Sequence, residues 1–519
     1  MSKTANSLQR TDVRSRRTSR CYPQSAPENL AVLAWLFGLK APKVETARVL
    51  ELGCADGGNL IPFATRHRRA TAVGVDLSPE SVEDGLERIE HLGLGNIRLQ
   101  AAALTDIGAK LGEFDYIICH GLYSYVTPQE RQAIARICKE HLSANGVAYV
   151  SSNTYPGWKG RELVRDAMLL RLSGRSKEGY AAAEARGMFD FLKQWKGLGD
   201  GVLEGALKEC EPLCADDYRL SAFLDPSNVP CYFSDFIQRF EAQGMTYLAE
   251  AYPAGMFISN YPAGVQKALL GECGHSQVAL EQYLDILTNR SSRQTLLVHA
   301  DRANSIRYRI SPERLAKLHV SARFECEEAV RLEDGEQYFL VADGRRIGLH
   351  NAVMKVAAYR LNEVWPRTQN LPALRTFVEQ QLGELPEGAE AQLIDLFEHI
   401  VVTGLGRYRL SAVVGGPGAQ GMPRVDPEVI AYAQLNGDEH GGITFNPWHE
   451  QVTLDPFSAL LLPHLDGCHT QDELLEVIAD GIAEERLGFL REGQPITDQE
   501  ELGRTGVLHL HRVLESLLA

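Results

Sequence analysis

Between residues 48 and 151, short β-branched, apolar runs alternate with amphipathic stretches. Strand-like runs fall at 48–52, 72–76, 97–100, 116–119 and 147–151, with helices starting near Gly57, at Pro79 and at Pro128. Strands separated in this way by helices predict a doubly wound α/β sheet. Ser78 before Pro79 and Thr127 before Pro128 mark two helix starts, because a hydroxyl caps open amides and proline loses no bond in the first turn. Residues 155–215 read as mainly helical, and strand signals return at 246–251 and 295–299. In "FIQRFEAQGMTYLAEAYP" the pattern gives a helix, Gly244 as its stop, then a strand. If both late strands return to the first sheet, that domain reaches about residue 300 around a helical insertion.

Beyond residue 300 the pattern changes. "LEDGEQYFLVADGRR" places two Asp-Gly turns around a strand, and "AEAQLIDLFEHIVVTGLGRYRLS" gives helix, glycine, strand, a winged-helix-like order. "GGPGAQGMP", residues 415–423, reads as a linker. "FSALLLPHLDG" and "TQDELLEVIADGI" then predict a small α+β domain. The expected division is a basic, disordered tail at 1–21, a catalytic-type domain at 22–300 with its insertion at about 155–215, a winged-helix-like domain at 301–414, the linker, and a second winged-helix-like domain at 424–519.

Charge and cysteine usage narrow the function classes. A net charge of −15 over 519 residues argues against nucleic acid or an anionic membrane as the main partner, since both need clustered cations. The one basic run, Arg10, Arg14, Arg16, Arg17 and Arg20, lies in the tail. The ten cysteines include no C-x-x-C pair, and several, such as Cys119 and Cys138, sit in apolar runs, as expected of reduced thiols in the cytoplasm. Cys210 with Cys214 and Cys468 with His469 lack a second ligand pair at zinc-site spacing, so no metal site is read. No apolar run approaches the roughly 20 residues of a membrane span, and the first twenty residues lack a signal core; the expectation is no membrane insertion and no export.

The candidate chemistry lies in "VLELGCADGGN", residues 49–59. As a dinucleotide loop it is poor: Ala55 stands where a glycine admits pyrophosphate, and the Glu51 carboxylate would repel it. A carboxylate there suits a ligand with an ammonium group. S-adenosylmethionine has one, and its ribose and adenine carry no phosphate. Asp76, about twenty residues on at the second strand end, is placed to accept from ribose hydroxyls. The amides from Gly53 to Gly57 would receive the methionine carboxylate at the helix start, with Asn59 adding a side-chain donor. The alternative is a glycine-rich turn without ligand.

These residues resemble class I S-adenosylmethionine-dependent methyltransferases over 47–151, through "LELGCADGG", "VGVDLSP" and "FDYIICHGLYSYV". More narrowly, "YPQSAPENLAVLAWLFGL", "ELGCADGGNLIP", "HGLYSYV", "NTYPGW" and "QYLDILTNRSSRQTLLV" resemble the bacterial methyltransferases that carry a methyltransferase regulatory domain. Those relatives include protein-lysine methyltransferases acting on outer-membrane proteins. The resemblance implies a Rossmann-like, seven-stranded sheet with S-adenosylmethionine as cofactor and a regulatory segment at about 212–300. It adds Cys54 and Leu77 to the cofactor contacts, along with His120 and Gly121 from the "HG" position. Tyr22 comes from a lid segment that also holds Ser25. The third motif is atypical: in "QAAALTDI" adenine would be met by backbone groups at Ala103 and Leu104, with Asp106 as a helper.

Ligands of open α/β sheets lie beyond the strand carboxyl ends. Residues after strands four and five therefore face the methyl group. Tyr123, Tyr125, Tyr155 and Trp158 would enclose a cation or lysine side chain, and the alternative is that they pack the loop. Asn153 belongs to the same stretch, and His120 or a tyrosine would take the proton. "QYLDILTNRSSRQTLLV" reads as the last helix and strand of the sheet, so the regulatory segment is expected to be scaffold. Three functions follow: a methyltransferase acting on protein lysine, with an outer-membrane or surface protein before export as one candidate; a small-molecule or natural-product methyltransferase; and a non-catalytic S-adenosylmethionine-sensing protein. A homodimer is compatible with the first two.

Overall fold

A computed structural model describes residues 20–173, 181–198, 201–413, 422–438, 441–484, 486–491, 494–496 and 498–518. Nearly all of the expected basic tail and most of the expected linker lie outside these residues.

The central sheet has seven strands: β1 (Arg48–Leu52), β2 (Thr71–Asp76), β3 (Ile97–Ala101), β4 (Phe114–Cys119), β5 (Leu142–Asn153), β6 (Met245–Glu250) and β7 (Ser292–His299). Their spatial order is β3-β2-β1-β4-β5-β7-β6. All are parallel except β7, which runs antiparallel to both β5 and β6. The chain direction reverses in spatial order beside β1, and this switch point opens a crevice at the carboxyl ends. Helices α1 (Pro27–Leu36), α2 (Leu60–Arg66), α3 (Pro79–His91) and α4 (Pro128–His141) precede or connect the early strands.

Local sequence explains the boundaries. The Ser78 hydroxyl accepts from the Ser81 amide, and Thr127 forms a reciprocal capping box with Glu130. The helix after β1 starts at Leu60, three residues later than predicted, because the preceding residues are tied into a tight turn. Gly244 (φ +77°) ends the turn between α9 (Phe233–Glu241) and β6; α9 completes a run that includes α5 (Gly157–Ser173), α6 (Ala181–Trp195), α7 (Val202–Cys214) and α8 (Asp217–Leu224). Helices α5 to α8 form the insertion and pack on a core of their own around Trp158, Met168, Phe189, Leu207 and Phe223.

The middle unit builds helices Ala352–Val364, Leu371–Leu382 and Ala389–Thr403 against a three-stranded sheet containing His319–Ala322 and Gly406–Arg409. The carboxy-terminal unit sets Gly441–Phe445 and Gln451–Leu454 as a hairpin among helices that end with Gln499–Leu518. One continuous apolar core links both units to the sheet. Arg314 locks the joint, donating to the Trp35 and Gly38 carbonyls while its guanidinium lies 4.5 Å from the Trp35 ring centroid. No helix of the described residues is long and apolar enough to cross a membrane.

Candidate active site

Beyond β1 the chain makes a tight turn. Gly53 (φ +76°) and Gly57 (φ +78°) adopt left-handed conformations, and Ala55 (φ +48°) does so despite its methyl group. A Cβ on Gly53 would stand 2.9 Å from Leu122, so glycine lets the segment after β4 close over the turn. Gly53 and Cys54 donate to the Val75 carbonyl at 2.8 and 3.2 Å, and Gly57 donates to the Cys54 carbonyl at 2.9 Å. The Ala55 amide donates to Asp76 Oδ2 at 2.9 Å. Four of the amides expected to receive a methionine carboxylate are thus engaged within the protein, three holding the turn against β2 and that of Gly57 closing the turn itself.

Asp76 ends β2, and its other oxygen accepts from the Ser78 amide at 2.8 Å. A carboxylate offers about four lone-pair positions, so two amides orient Asp76 and leave it able to accept from a ribose. Leu77 beside it is 48% exposed and offers an apolar surface. Ala103 is half-buried and the Leu104 side chain enters the core. Asp106 is exposed and accepts from the Thr105 hydroxyl.

Glu51 is the chemically unusual residue. It is 4% exposed, and Oε1 accepts from Asn59 Nδ2 at 2.9 Å. Oε2 is buried and has no hydrogen-bond partner among the described residues. Burial pushes the carboxyl up to about 8, with Asp76 and Asp56 adding to the rise and Asn59 opposing it. A buried oxygen left without a donor is costly, and a ligand ammonium group would supply both donor and charge. The site therefore fits the amino-acid end of S-adenosylmethionine.

Asn59 is not the free donor expected from the sequence. Its amide protons go to Glu51 Oε1 and to Ser25 Oγ (3.2 Å), and its oxygen accepts from the Tyr22 amide (3.1 Å). It braces the amino-terminal segment instead. The Tyr22 ring stacks on His120 with centroids 3.8 Å apart and planes 29° apart, as a lid residue would. His120 Nδ1 lies 2.8 Å from the Tyr149 hydroxyl, and burial pushes the imidazole down to about 4. A neutral ring suits a position beside a sulfonium, where imidazolium would repel. Gly121 (φ +64°) donates to Ser151 Oγ at 2.7 Å, turning the chain out of β4.

The four predicted aromatic residues separate into two groups. Tyr123 is 1% exposed, packs its ring on Phe236 and Phe240, and accepts from Arg239. Trp158, at the start of α5, packs on Phe223 inside the insertion core. Both are structural, which corrects the four-sided cage; the 3-10 turn Tyr123–Tyr125 places its two rings differently. Tyr125 and Tyr155 are half-buried. Asn153 Nδ2 lies 3.4 Å from the Tyr125 hydroxyl and 2.8 Å from Asn228 Oδ1. The Tyr155 hydroxyl donates to Glu162, and the Lys159 ammonium lies 4.3 Å from the ring centroid.

Several residues escaped sequence reasoning. Asp56, 3% exposed, pairs with Arg88 of α3. A Cβ on Gly85 of the same helix would stand 2.6 Å from the Asp56 carbonyl and 2.4 Å from Leu99, so helix and turn touch there. Asn228 joins Asn153, and His449 of the carboxy-terminal unit reaches Asn59 at 2.9 Å. The only local signal was the glycine in an otherwise regular helix pattern; the rest depend on distant chain segments.

Comparison with known proteins agrees with this fold. Residues 49–146 match the family described as "Methyltransferase domain", 216–299 match "Predicted methyltransferase regulatory domain", and 426–519 match "PKMT, C-terminal winged helix domain". An uncharacterized protein of Rickettsia prowazekii (strain Madrid E), RP789, is 30% identical over 497 residues, covering 93% of this chain and 88% of the relative. The structure of PKMT2 from Rickettsia typhi in complex with AdoHcy superposes with a TM-score of 0.84 at 25% identity, over 95% of this chain and 97% of that one. A second structure of PKMT2 from Rickettsia typhi gives a TM-score of 0.83 at 25% identity, over 96% of this chain and 98% of that one. With its seven-stranded sheet, its three family matches and a relative 30% identical over nearly all of its length, the chain belongs to the S-adenosylmethionine-dependent methyltransferases that carry a methyltransferase regulatory domain.

Proposed function

We propose that this methyltransferase modifies lysine side chains of a protein substrate. The observation that carries the reading is the match along nearly the whole chain to PKMT2, a protein-lysine methyltransferase by name, including the winged-helix unit. The cofactor supplies an electrophilic methyl group on a sulfonium and leaves as the thioether. Around it, Glu51 holds the ammonium group through Oε2, Asp76 accepts from the ribose, and Leu77 borders the adenine. Tyr22 and His120 form a stacked pair that shields the methyl end from water, and the neutral imidazole adds no opposing charge.

The acceptor must arrive as an uncharged amine whose lone pair points at the methyl carbon. A narrow, partly apolar entrance favours that form by penalising ammonium. Tyr125 and Tyr155, with Asn153 between them in the chain, are the residues proposed to line this entrance. Asn153 orients Tyr125 through its amide, and the product ammonium loses its proton to solvent. A reducing, cytoplasmic setting fits cysteines held as thiols, most of which are buried.

The test is incubation of the enzyme with S-adenosylmethionine labelled in the methyl group and a lysate afterwards split into protein and small-molecule fractions. The expected result is label in protein, recovered as methyl-lysine after complete hydrolysis. Label confined to small molecules overturns the proposal.

A further inference from the structure

His449 lies 390 positions after Asn59, in the turn between the two hairpin strands of the carboxy-terminal unit, yet its Nε2 is 2.9 Å from Asn59 Oδ1. Both side chains are buried, at 2% and 3% exposure. We propose that His449 is a positioning residue of the cofactor pocket: its N–H fixes the Asn59 carboxamide, so that Asn59 satisfies one oxygen of Glu51 and the other is left for the ligand. The inference rests on the reading of Glu51 as the partner of the cofactor's ammonium group.

The orientation of the Asn59 amide is settled by chemistry. The Tyr22 backbone N–H, 3.1 Å away, can only donate, so the Asn59 oxygen must face it and His449. The nitrogen then points to Glu51 Oε1 and Ser25 Oγ. Without His449 the Asn59 oxygen would keep the Tyr22 amide and the Ser25 hydroxyl, at 3.1 and 3.4 Å, and lose its shortest contact, at 2.9 Å, leaving the carboxamide free to tilt away from Glu51 and from the lid segment. One imidazole therefore secures two features of the pocket, the Glu51 orientation and the Tyr22 lid.

The protein holds His449 in place at a cost. Its φ of +62° is left-handed, a conformation that non-glycine residues hold only where the surroundings enforce it. Asn446 enforces it: its side-chain oxygen accepts from the Trp448 and Glu450 amides at 3.0 and 3.1 Å, and its carbonyl accepts from the His449 amide at 3.0 Å. The middle unit grips the same turn, with Arg409 donating to the Trp448 carbonyl and Arg407 pairing with Glu450 at 3.0 Å. Burial pushes the His449 imidazole down to about 3, so the ring is neutral and donates through a single N–H.

Calorimetric binding of AdoHcy to the full-length chain tests this. His449→Phe, which keeps a ring and removes the donor, should weaken binding about tenfold while a cooperative melting transition persists; His449→Gln, which restores a donor, should recover most of the affinity. Glu51→Gln is measured in parallel. Normal binding by His449→Phe alongside weakened binding by Glu51→Gln overturns the His449 proposal, and normal binding by Glu51→Gln overturns the reading beneath it. Because coupling between sites is reciprocal, saturating AdoHcy should also slow amide exchange at residues 446–450 of the unaltered protein, a measurement independent of mutant folding. Unchanged exchange there likewise overturns the proposal.

Discussion

Glu51 carries more information than any other residue in the site. Its pKa in the fold lies above the ordinary 4.5, at about 8. The group therefore contributes its full stability only below pH 4.5, and that contribution is lost as pH rises toward 8. An ammonium partner favours the ionised form, so cofactor binding at pH 7 should expel the proton from Glu51. Calorimetry in two buffers of different ionisation enthalpy is expected to show proton release on binding AdoHcy, and none for Glu51→Gln. Equal release by both would mean that another group meets the ammonium. The residue was legible in the sequence because a carboxylate beside a glycine turn excludes pyrophosphate. Its unpartnered oxygen was not, since that depends on where Asn59 and its own neighbours lie.

At the scale of elements, the segment 216–299 completes the sheet. Strand β7 inserts between β5 and β6, pairing with both, and so supplies two ladders of backbone hydrogen bonds. Behind it Arg293, 2% exposed, is held by Glu250, Asp285 and Glu281 at 2.8 to 3.0 Å, and its guanidinium lies 3.7 Å from the Phe233 ring centroid. Arg290 lies beside the same carboxylates at 3.3 and 3.4 Å. Arg293→Met would leave Glu250 without a cation and Glu281 and Asp285 with Arg290 alone, an effect of about 3–5 kcal/mol. Denaturant unfolding should show that loss, whereas a residue with a purely regulatory role would leave the midpoint unchanged. The helix, glycine and strand signals of this segment were readable, and they placed it in the sheet. The ion cluster was not, because Glu250 and Arg293 at its extremes lie 43 positions apart in the chain.

For the whole molecule, the amino-terminal helix, the sheet and both later units form one connected body. Arg302 donates to the Gly146 and Lys40 carbonyls, Arg307 to Phe37 through its backbone, and Arg68 pairs with Glu428. Deletion of residues 216–299 is accordingly expected to abolish cooperative unfolding and AdoHcy binding together. A truncated chain that melts cooperatively and binds normally would show that the remaining five strands suffice.

Local periodicity and capping chemistry determined most of this protein from sequence: five parallel strands, two late ones, the helical insertion and the glycine turn with its flanking acids. Such features depend on residues a few positions apart, so a linear pattern records them. The tertiary structure alone decided which side chains face the pocket. It buried Tyr123 and Trp158 in cores, engaged four of the turn's amides within the protein, and brought His449 to Asn59. Those outcomes follow from packing between segments tens to hundreds of residues apart, where no spacing rule connects one partner to the other.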